Sequence, residues 1–240
     1  MQGGGGRAYP LQAVSRKELL EWVEARLEPP QDALALGLAD PLDTLVSTVL
    51  SQNTNDRNRD RAYAALRARF PSAEALAEAS EAEIATAIQV AGLHRQKART
   101  IREILSRIRK ERGALDLGFL HRMSLDDSLS WLTASRGIGK KTAGIVLLFC
   151  FDRPYFPVDT HIRRVSTRLG LIGPSDDAHD VLNATVPSDP ARLRALHLGM
   201  IQLGREICDA RRPACARCPL ASRCVHAGTA LQGGEEGRGT

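Results

Sequence analysis

Apolar residues in this chain recur at spacings of three and four, and they do not form the alternating runs that are typical of strands. The residues between them are mostly Ala, Leu, Arg and Glu, which favour helices. Side chains at these spacings share one face of a helix, so the pattern predicts an all-α protein. With 240 residues, the chain is long enough for one large helical core or two small ones.

Capping residues predict where the helices begin and end. Ser15 with Glu18, and Ser80 with Glu83, match the capping box, while Gly and Pro mark the ends. The predicted helices are Ser15 to Pro29, one that starts at Asp40 and Pro41, Ser80 to Val90, Gln96 to Lys110, one that starts at Ser124, Lys140 to Phe151, Thr160 to Leu169, Asp176 to Val186 and Pro190 to Ala210. The tail beyond Ala227 is rich in Gly and Glu and is expected to be disordered.

The basic residues favour a polyanionic partner. The formal net charge is +5 and the sequence pI is about 9.2, although many unrelated proteins share these values. Nearly all of the positive charge is arginine, and two of the few lysines, Lys140 and Lys141, are adjacent. A lysine pair in such a chain calls for a separate explanation.

No segment is expected to span a membrane. The longest apolar run, Ile145 to Phe151, is far shorter than the roughly 20 residues that a spanning helix needs. The start, Met1 to Arg7, is rich in glycine rather than apolar like a signal segment. We therefore expect the protein to stay in the reducing cytoplasm, associated with the nucleoid, where disulfides are rare. A monomer is also expected.

Four of the five cysteines form one group with the spacing Cys208-x6-Cys215-x2-Cys218-x5-Cys224. In a reducing compartment this grouping predicts thiolate ligation of a metal centre rather than a disulfide pair. The spacing leaves a zinc site open, although structural zinc usually shows two short cysteine pairs and this chain has one. Basic residues lie between and beside the ligands and are expected to contact phosphates, namely Arg211, Arg212, Arg217 and Arg223.

The segment Leu132 to Ala143 predicts a helix, a tight turn and a second helix. Gly137 and Gly139 permit a turn whose backbone N–H groups point outward beside a helix N-terminus. Such a turn binds a phosphate without any base preference. Arg136 and Lys140 flank it and are expected to add phosphate contacts.

Lys141, directly after this turn, is a candidate nucleophile. Arginine serves phosphate binding as well or better, so a lysine here indicates chemistry that needs an amine able to lose its proton. The adjacent Lys140 and the helix dipole are expected to favour the neutral amine. Asp159 lies 18 residues later, within Pro157 to Ile162. The alternative readings are a surface lysine and a plain helix cap.

These motifs together resemble the endonuclease III family, over roughly Leu45 to Cys224. The cysteine spacing, the hairpin, the separation of Lys141 from Asp159 and the run Val-Asp-Thr-His-Ile are all similar to that family. The resemblance implies a [4Fe-4S] cluster and two all-α lobes with the active site in the cleft between them. The expected domains are residues 39–154 as a six-helix barrel with the helix-hairpin-helix, residues 11–38 with 155–226 as the cluster domain, and flexible tails at 1–10 and 227–240.

The resemblance also implies a DNA repair activity on damaged duplex DNA. The damaged nucleotide, an oxidised pyrimidine of the thymine glycol type, is flipped into the pocket. Lys141 attacks C1′, displaces the base and forms a Schiff base, and Asp159 stabilises the positive charge of the sugar. β-Elimination then cuts the strand 3′ to the lesion.

Two positions are expected to enter the DNA stack. Leu93 matches the family's intercalating leucine, and Asn53, beside Gln52, stands where the family usually has Gln. In the hairpin, Ser135 and Arg136 replace the usual Leu-Pro. The expected DNA contacts are Gly137, Gly139, Lys140, Arg136, Arg211, Arg212, Asn53, Gln52, Leu93, His94 and His161.

Two other functions fit the same motifs. One is a mismatch glycosylase that removes adenine or thymine, although such relatives generally lack the catalytic lysine. The other is a DNA-binding paralogue without catalysis. Incubation with abasic-site DNA separates them from the bifunctional enzyme, since only a lyase nicks it.

Overall fold

The structure is a computed structural model, and it describes residues 14–29 and 40–232. Every regular element in these two ranges is helical, which confirms the all-α prediction for this part of the chain. No helix there is long and apolar enough to cross a bilayer. The predicted flexible start, residues 1–10, and the last residues of the predicted tail, 233–240, lie outside the described residues.

The helices follow one another with short connections. They are α1 (Arg16–Glu24), α2 (Pro41–Ser51), α3 (Asp56–Arg69), α4 (Ala73–Glu78), α5 (Glu81–Ala87), α6 (His94–Arg112), α7 (Leu125–Thr133), α8 (Lys140–Phe151), α9 (Thr160–Leu169), α10 (Ala178–Asn183), α11 (Pro190–Glu206) and α12 (Val225–Gln232). Single 3-10 turns lie at Gln89–Ala91, Gly118–Arg122, Cys215–Arg217 and Ala221–Arg223.

The described residues fall into two compact units. The central unit comprises residues 40–158 and 187–194, and the terminal unit comprises 14–29, 159–186 and 195–232. The lobe limits and the cleft between lobes that the sequence suggests stay predictions.

Side-chain caps explain why several helices begin where they do. Ser80 Oγ accepts the backbone N–H of Glu83 at 3.2 Å, and the Glu83 carboxylate accepts the N–H of Ser80 at 3.0 Å. Asp40 caps α2 by accepting two backbone N–H groups, and Pro41 occupies its first position. These starts confirm the caps that the sequence predicts.

The core of the central unit lies around α8. From Thr142 to Phe151 nearly every side chain of α8 is buried, and the helix packs against α2 and α7. Helix α6 contributes an apolar stripe that includes Ile101, Ile104 and Ile108, all buried. Because α8 is enclosed along most of its length, its first turn is where it meets solvent.

The terminal unit has its own core. Helix α9 buries Ile162, Val165 and Leu169, and α12 packs against α9 and against the 3-10 turns of the cysteine-rich loop. Val225 of α12 sits so close to Gly170 that an added Cβ would come within 3.0 Å of it. The cysteine-rich loop is therefore packed against α12, which in turn packs on α9.

Several predicted boundaries are wrong. Helix α1 ends at Glu24 rather than near Pro29, because the N–H of Arg26 bonds back to Val23 and tightens the last turn. Helices α10 and α11 are shorter than predicted, and the latter ends where the N–H of Cys208 turns back to Leu203 at 2.7 Å. The expected disorder beyond Ala227 is wrong as far as Gln232, since Val225–Gln232 is helical.

Candidate functional site

The hairpin of the central unit joins α7 to α8 through residues 134–139. Gly137 has φ of 81°, in the left-handed region that glycine favours. A Cβ at this position would overlap the Thr100 hydroxyl and come within 3.0 Å of its methyl group. Gly139 is the N-cap of α8 and supplies no side-chain cap. The start of α8 therefore has no side-chain cap from Gly139, the kind of helix N-terminus that can bind an anion.

Arg107 of α6 braces the start of this hairpin. Its guanidinium donates to the Trp131 carbonyl at 2.7 Å and to the Ser135 hydroxyl at 2.9 Å, and it stacks over the Trp131 ring. Ser135, which stands where the family has leucine, is buried. A polar bond therefore holds the turn here, and the neighbouring Arg136 stays exposed.

Lys140 and Lys141 open α8, and both are half-buried. One turn later, Gly144 meets the Tyr155 ring so closely that an added Cβ would lie 2.6 Å from it. Helix α8 is thereby fixed against the segment that leads out of the central unit. Both lysines therefore lie in the first turn of α8, and the catalytic role of Lys141 stays a prediction.

The segment after α2 is tied to the hairpin. The Gln52 amide donates to the Gly137 carbonyl at 2.9 Å and to the Thr142 hydroxyl at 3.3 Å. The next residue, Asn53, has φ of 50° and is exposed. The two neighbouring residues, both predicted to contact DNA, therefore differ: Gln52 is hydrogen-bonded to the hairpin, and Asn53 is exposed to solvent.

Leu93, the other residue predicted to enter the DNA stack, also has a left-handed backbone. Leu93 has φ of 48°, and with 52% of its surface exposed it is among the exposed large apolar side chains of the described residues. His94, half-buried, begins α6 directly after it. Left-handed φ values are uncommon for residues other than glycine, and they concentrate at functional positions.

Lys97 is a buried charged residue near the predicted DNA-contacting loops, and the sequence motifs do not point to it. It is 2% exposed, and its amino group donates to the carbonyls of Leu50 and Ala91 at 2.8 and 2.9 Å. Burial lowers the pKa of this amino group below its usual value. A usable signal was present, because Lys97 occupies a core position of the apolar stripe that continues at Ile101 and Ile104.

In the terminal unit, Asp159 is the N-cap of α9. Its Oδ1 accepts the N–H of Ile162 at 2.8 Å, which fixes the orientation of the carboxylate. His161 is half-buried and packs on Gly204. A Cβ added to Gly204 would lie 2.8 Å from the Cβ of His161. The cap reading of Asp159 is therefore correct, and it leaves the catalytic prediction open.

Two arginines of α9, also missed from the sequence, hold the start of the cysteine-rich loop. Arg164 donates to the Cys208 carbonyl at 2.9 Å and to the Gly204 carbonyl at 2.6 Å. Arg168 reaches the Cys208 sulfur at 3.3 Å and the Asp209 carbonyl at 2.6 Å. The loop's conformation thus depends on buried portions of these side chains as well as on any ligand.

The four predicted metal ligands are half-buried thiols of this loop. Burial, and to a lesser degree the charges of the other loop thiols, raises the pKa of Cys218 and of Cys224. Among the described residues, no three His, Cys, Asp or Glu side chains form a group that would hold a metal ion as they stand. The exposed Arg211 and Arg212 lie beside them.

Comparison with known proteins places the chain in a family. Residues 46–187 match the HhH-GPD superfamily of base excision DNA repair proteins. Endonuclease III of Thermotoga maritima is 35% identical over 187 residues, which cover 77% of this chain and 83% of that protein. A thymine-DNA glycosylase of Aeropyrum pernix is 29% identical over 88% of this chain and 93% of its own.

A solved structure of an endonuclease III–DNA complex has the same fold. It superposes with a TM-score of 0.73 at 23% identity and covers 91% of this chain and 99% of that chain. Together with the family match, this likeness confirms the predicted fold class. The chain belongs to the HhH-GPD superfamily of base excision DNA repair proteins, in the endonuclease III type of DNA glycosylase and AP lyase that its motifs predict.

Proposed function

We propose that this protein removes oxidised pyrimidines, of the thymine glycol type, from duplex DNA and cuts the strand by β-elimination. The observation that carries the proposal is Lys141, a half-buried lysine in the first turn of α8, directly after a glycine turn suited to phosphate. This arrangement would hold the Lys141 amine next to the DNA backbone, within reach of C1′ of a flipped nucleotide.

In the proposed reaction, the Lys141 amine attacks C1′ and forms a C–N bond while the bond from the sugar to the base breaks. The base leaves with the electron pair and takes up a proton. Opening of the sugar ring gives the Schiff base, which acidifies C2′. Loss of a C2′ proton then expels the 3′ phosphate. Asp159, its carboxylate oriented by Ile162, is assigned to stabilise the cationic sugar and assist proton transfer.

Duplex DNA is the proposed partner. The N–H groups at the start of α8, with Arg136 and Lys140, are assigned to the phosphates. The exposed Leu93 and Asn53 are assigned to the stack, where they replace the flipped nucleotide. His94, His161, Arg211 and Arg212 are assigned to further contacts. We further propose that the protein acts as a monomer in the cytoplasm, on the nucleoid.

A [4Fe-4S] cluster is the proposed cofactor, with Cys208, Cys215, Cys218 and Cys224 as its ligands. The chemistry of the donor set supports this, because four thiols of one loop are the ligands that such a cluster takes, although they are not gathered into a metal-holding group as they stand. When bound, the cluster holds the arginine-bearing loop in shape. Absorbance near about 400 nm from the purified protein separates this cluster from zinc.

The relationship to a thymine-DNA glycosylase supports a second candidate substrate, thymine in a mismatch. Asn53 also departs from the glutamine that the endonuclease III family usually has. Single-turnover excision from a panel of duplexes, each with one lesion or mismatch, decides between the two. The proposal expects thymine glycol to be removed faster than mismatched thymine.

Borohydride trapping tests the catalytic assignment. Wild-type protein mixed with lesion-containing duplex and borohydride is expected to give a covalent adduct, because the Schiff base is reduced to a stable amine. Lys141→Gln is expected to give no adduct. The matched control is Lys140→Gln, which removes a proposed phosphate contact from the same turn and should still give the adduct when the protein saturates the DNA. An adduct in Lys141→Gln would overturn the assignment.

A further inference from the structure

Lys97 is a buried lysine that no step of the proposed reaction uses. It lies on α6 within the apolar stripe, and it is 2% exposed. A lysine in such a position is costly unless its amino group is hydrogen-bonded, so its partners indicate what it does. Both partners, at Leu50 and Ala91, are backbone carbonyls.

These two carbonyls belong to the ends of two helical segments. Leu50 is the residue before the last in α2, and Ala91 is the last residue of the 3-10 turn Gln89–Ala91. Carbonyls at helix ends have no partner within the helix and carry partial negative charge. One amino group therefore satisfies two helix ends and joins them through distances of 2.8 and 2.9 Å.

Two of the three non-glycine residues with left-handed φ in the described part of the chain follow these helix ends, and the third is Asp152. Asn53 comes three residues after Leu50, and Leu93 comes two residues after Ala91. The backbone N–H of Lys97 also donates to the Leu93 carbonyl at 3.0 Å. Lys97 thus holds one loop through both its side chain and its backbone, and it holds the other loop through its side chain.

Such backbone conformations persist only where the surroundings hold them. The first loop has a second anchor, since Gln52 bonds to the Gly137 carbonyl of the hairpin. The hairpin leads directly into Lys141. A continuous set of bonds within the central unit therefore connects the Leu93 loop, Lys97, the Gln52–Asn53 loop and the turn before the proposed nucleophile.

We propose that Lys97 is a positioning residue, which fixes the separation and backbone conformation of the Gln52–Asn53 and Gly92–Leu93 loops so that both enter the DNA together as the base is extruded. This inference rests on the proposed function. It requires Lys97 to act when a base must leave the stack and to have little effect where the stack is already interrupted, as at an abasic site.

The experiment compares two rates for each variant. One is single-turnover excision of thymine glycol from duplex DNA, and the other is strand cutting at a preformed abasic site in the same sequence. Lys97→Met replaces the amino group by an apolar end of similar length. We expect its excision rate to fall roughly tenfold to a hundredfold, while cutting at the abasic site changes by less than about threefold.

Ile108→Ala is the matched control for stability. Ile108 is a fully buried residue of α6, about 16 Å further along the helix than Lys97. It should lower the melting temperature and leave the ratio of the two rates unchanged. Lys97→Gln, which retains an N–H donor, is the second variant and should show a smaller loss of the ratio, and it decides the question if Lys97→Met does not fold.

The outcomes separate the two proposals. If the wild-type protein neither excises thymine glycol nor cuts the abasic site, the proposed function fails before Lys97 is tested. If the wild-type protein is active and the folded Lys97 variants keep its ratio of rates, the positioning role is wrong. A ratio that falls equally in Ile108→Ala also overturns it, because stability alone would then explain the loss.

Discussion

At the residue scale, Gly137 and Gly139 of the hairpin meet different constraints although they are two residues apart. Gly137 has a left-handed backbone and faces the Thr100 side chain, whereas Gly139 has φ of −93° and no atom near the place of a Cβ. The same substitution at the two positions therefore separates the strain of the turn from the general effect of losing a glycine.

We expect Gly137→Ala to lower the free energy of unfolding by about 2 kcal/mol or more, because alanine meets both the left-handed penalty and the Thr100 hydroxyl. Gly139→Ala should cost less than about 1 kcal/mol, since alanine is only a poorer N-cap than glycine. Urea unfolding followed by circular dichroism measures both. Equal losses in the two variants would contradict the strain that we assign to Gly137.

Single residues also show where sequence reasoning stops. The motifs predict Lys141 and Asp159 as candidates, because their types and spacing carry chemistry. Lys97 belongs to no such motif. Its partners are the backbone carbonyls of Leu50 and Ala91, and because every residue has a backbone carbonyl, they leave no signal in the sequence. Only its place in an apolar stripe indicates burial, and the stripe does not reveal which backbone atoms meet the amino group.

At the scale of the element, the capping box of α5 predicts a pH dependence. Hydrogen bonds from the N–H and the hydroxyl of Ser80 hold the pKa of Glu83 below its ordinary value of 4.5. A lowered pKa means that the stabilisation is present above the ordinary pKa and is lost as the pH falls through the folded value. The stability difference between wild type and Glu83→Gln should therefore shrink from about pH 6 to about pH 3.

The Ser80→Ala background is the control for this dependence. Removal of the hydroxyl should itself cost about 1 kcal/mol of unfolding free energy, as for other N-caps. In that background the Glu83 carboxylate has one hydrogen-bond donor fewer, so the pH dependence of the Glu83→Gln effect should be weaker. Thermal unfolding over the pH series checks both, and an unchanged dependence would show that the carboxylate responds to other charges.

Helix boundaries were predictable where capping residues next to the helix mark them. Helices α8 and α9 match the prediction at both ends, because Gly139 and Asp159 cap their starts and Gly170 follows the end of α9. The end of α11 was not, since it depends on a turn back to Leu203. Helix α12 was missed because it is short, contains a glycine and packs on α9, a contact that the local sequence does not reveal.

At the scale of the whole molecule, local patterns do not reveal which distant segments meet. The bond from Gln52 to the Gly137 carbonyl joins residues 85 positions apart, and the bond from Arg164 to the Cys208 carbonyl joins residues 44 apart. The resemblance predicts that these regions share a function. It does not predict that the Gln52 amide fixes the hairpin, or that Arg164 and Arg168 fix the cysteine-rich loop.

The arginine-bearing loop leads to a prediction for the molecule's affinity for DNA. The Asp209 carboxylate accepts the backbone N–H groups of Arg211 and Arg212 at 2.8 and 2.9 Å, which fixes the loop without using their guanidinium groups. Those groups are exposed and are assigned to phosphates. Removing one phosphate-binding side chain should reduce the slope of log Kd against log salt by about 0.9.

Arg212→Ala should therefore flatten the salt dependence of binding to undamaged duplex DNA by about that amount. Lys17→Ala removes one exposed charge from α1 of the same unit and should leave the slope as in wild type. Fluorescence anisotropy over a series of salt concentrations measures both slopes. Because the slope reflects the number of phosphates bound and is independent of the fraction of folded protein, an equal effect of the two substitutions would show that net charge alone, and not the loop, attracts the DNA.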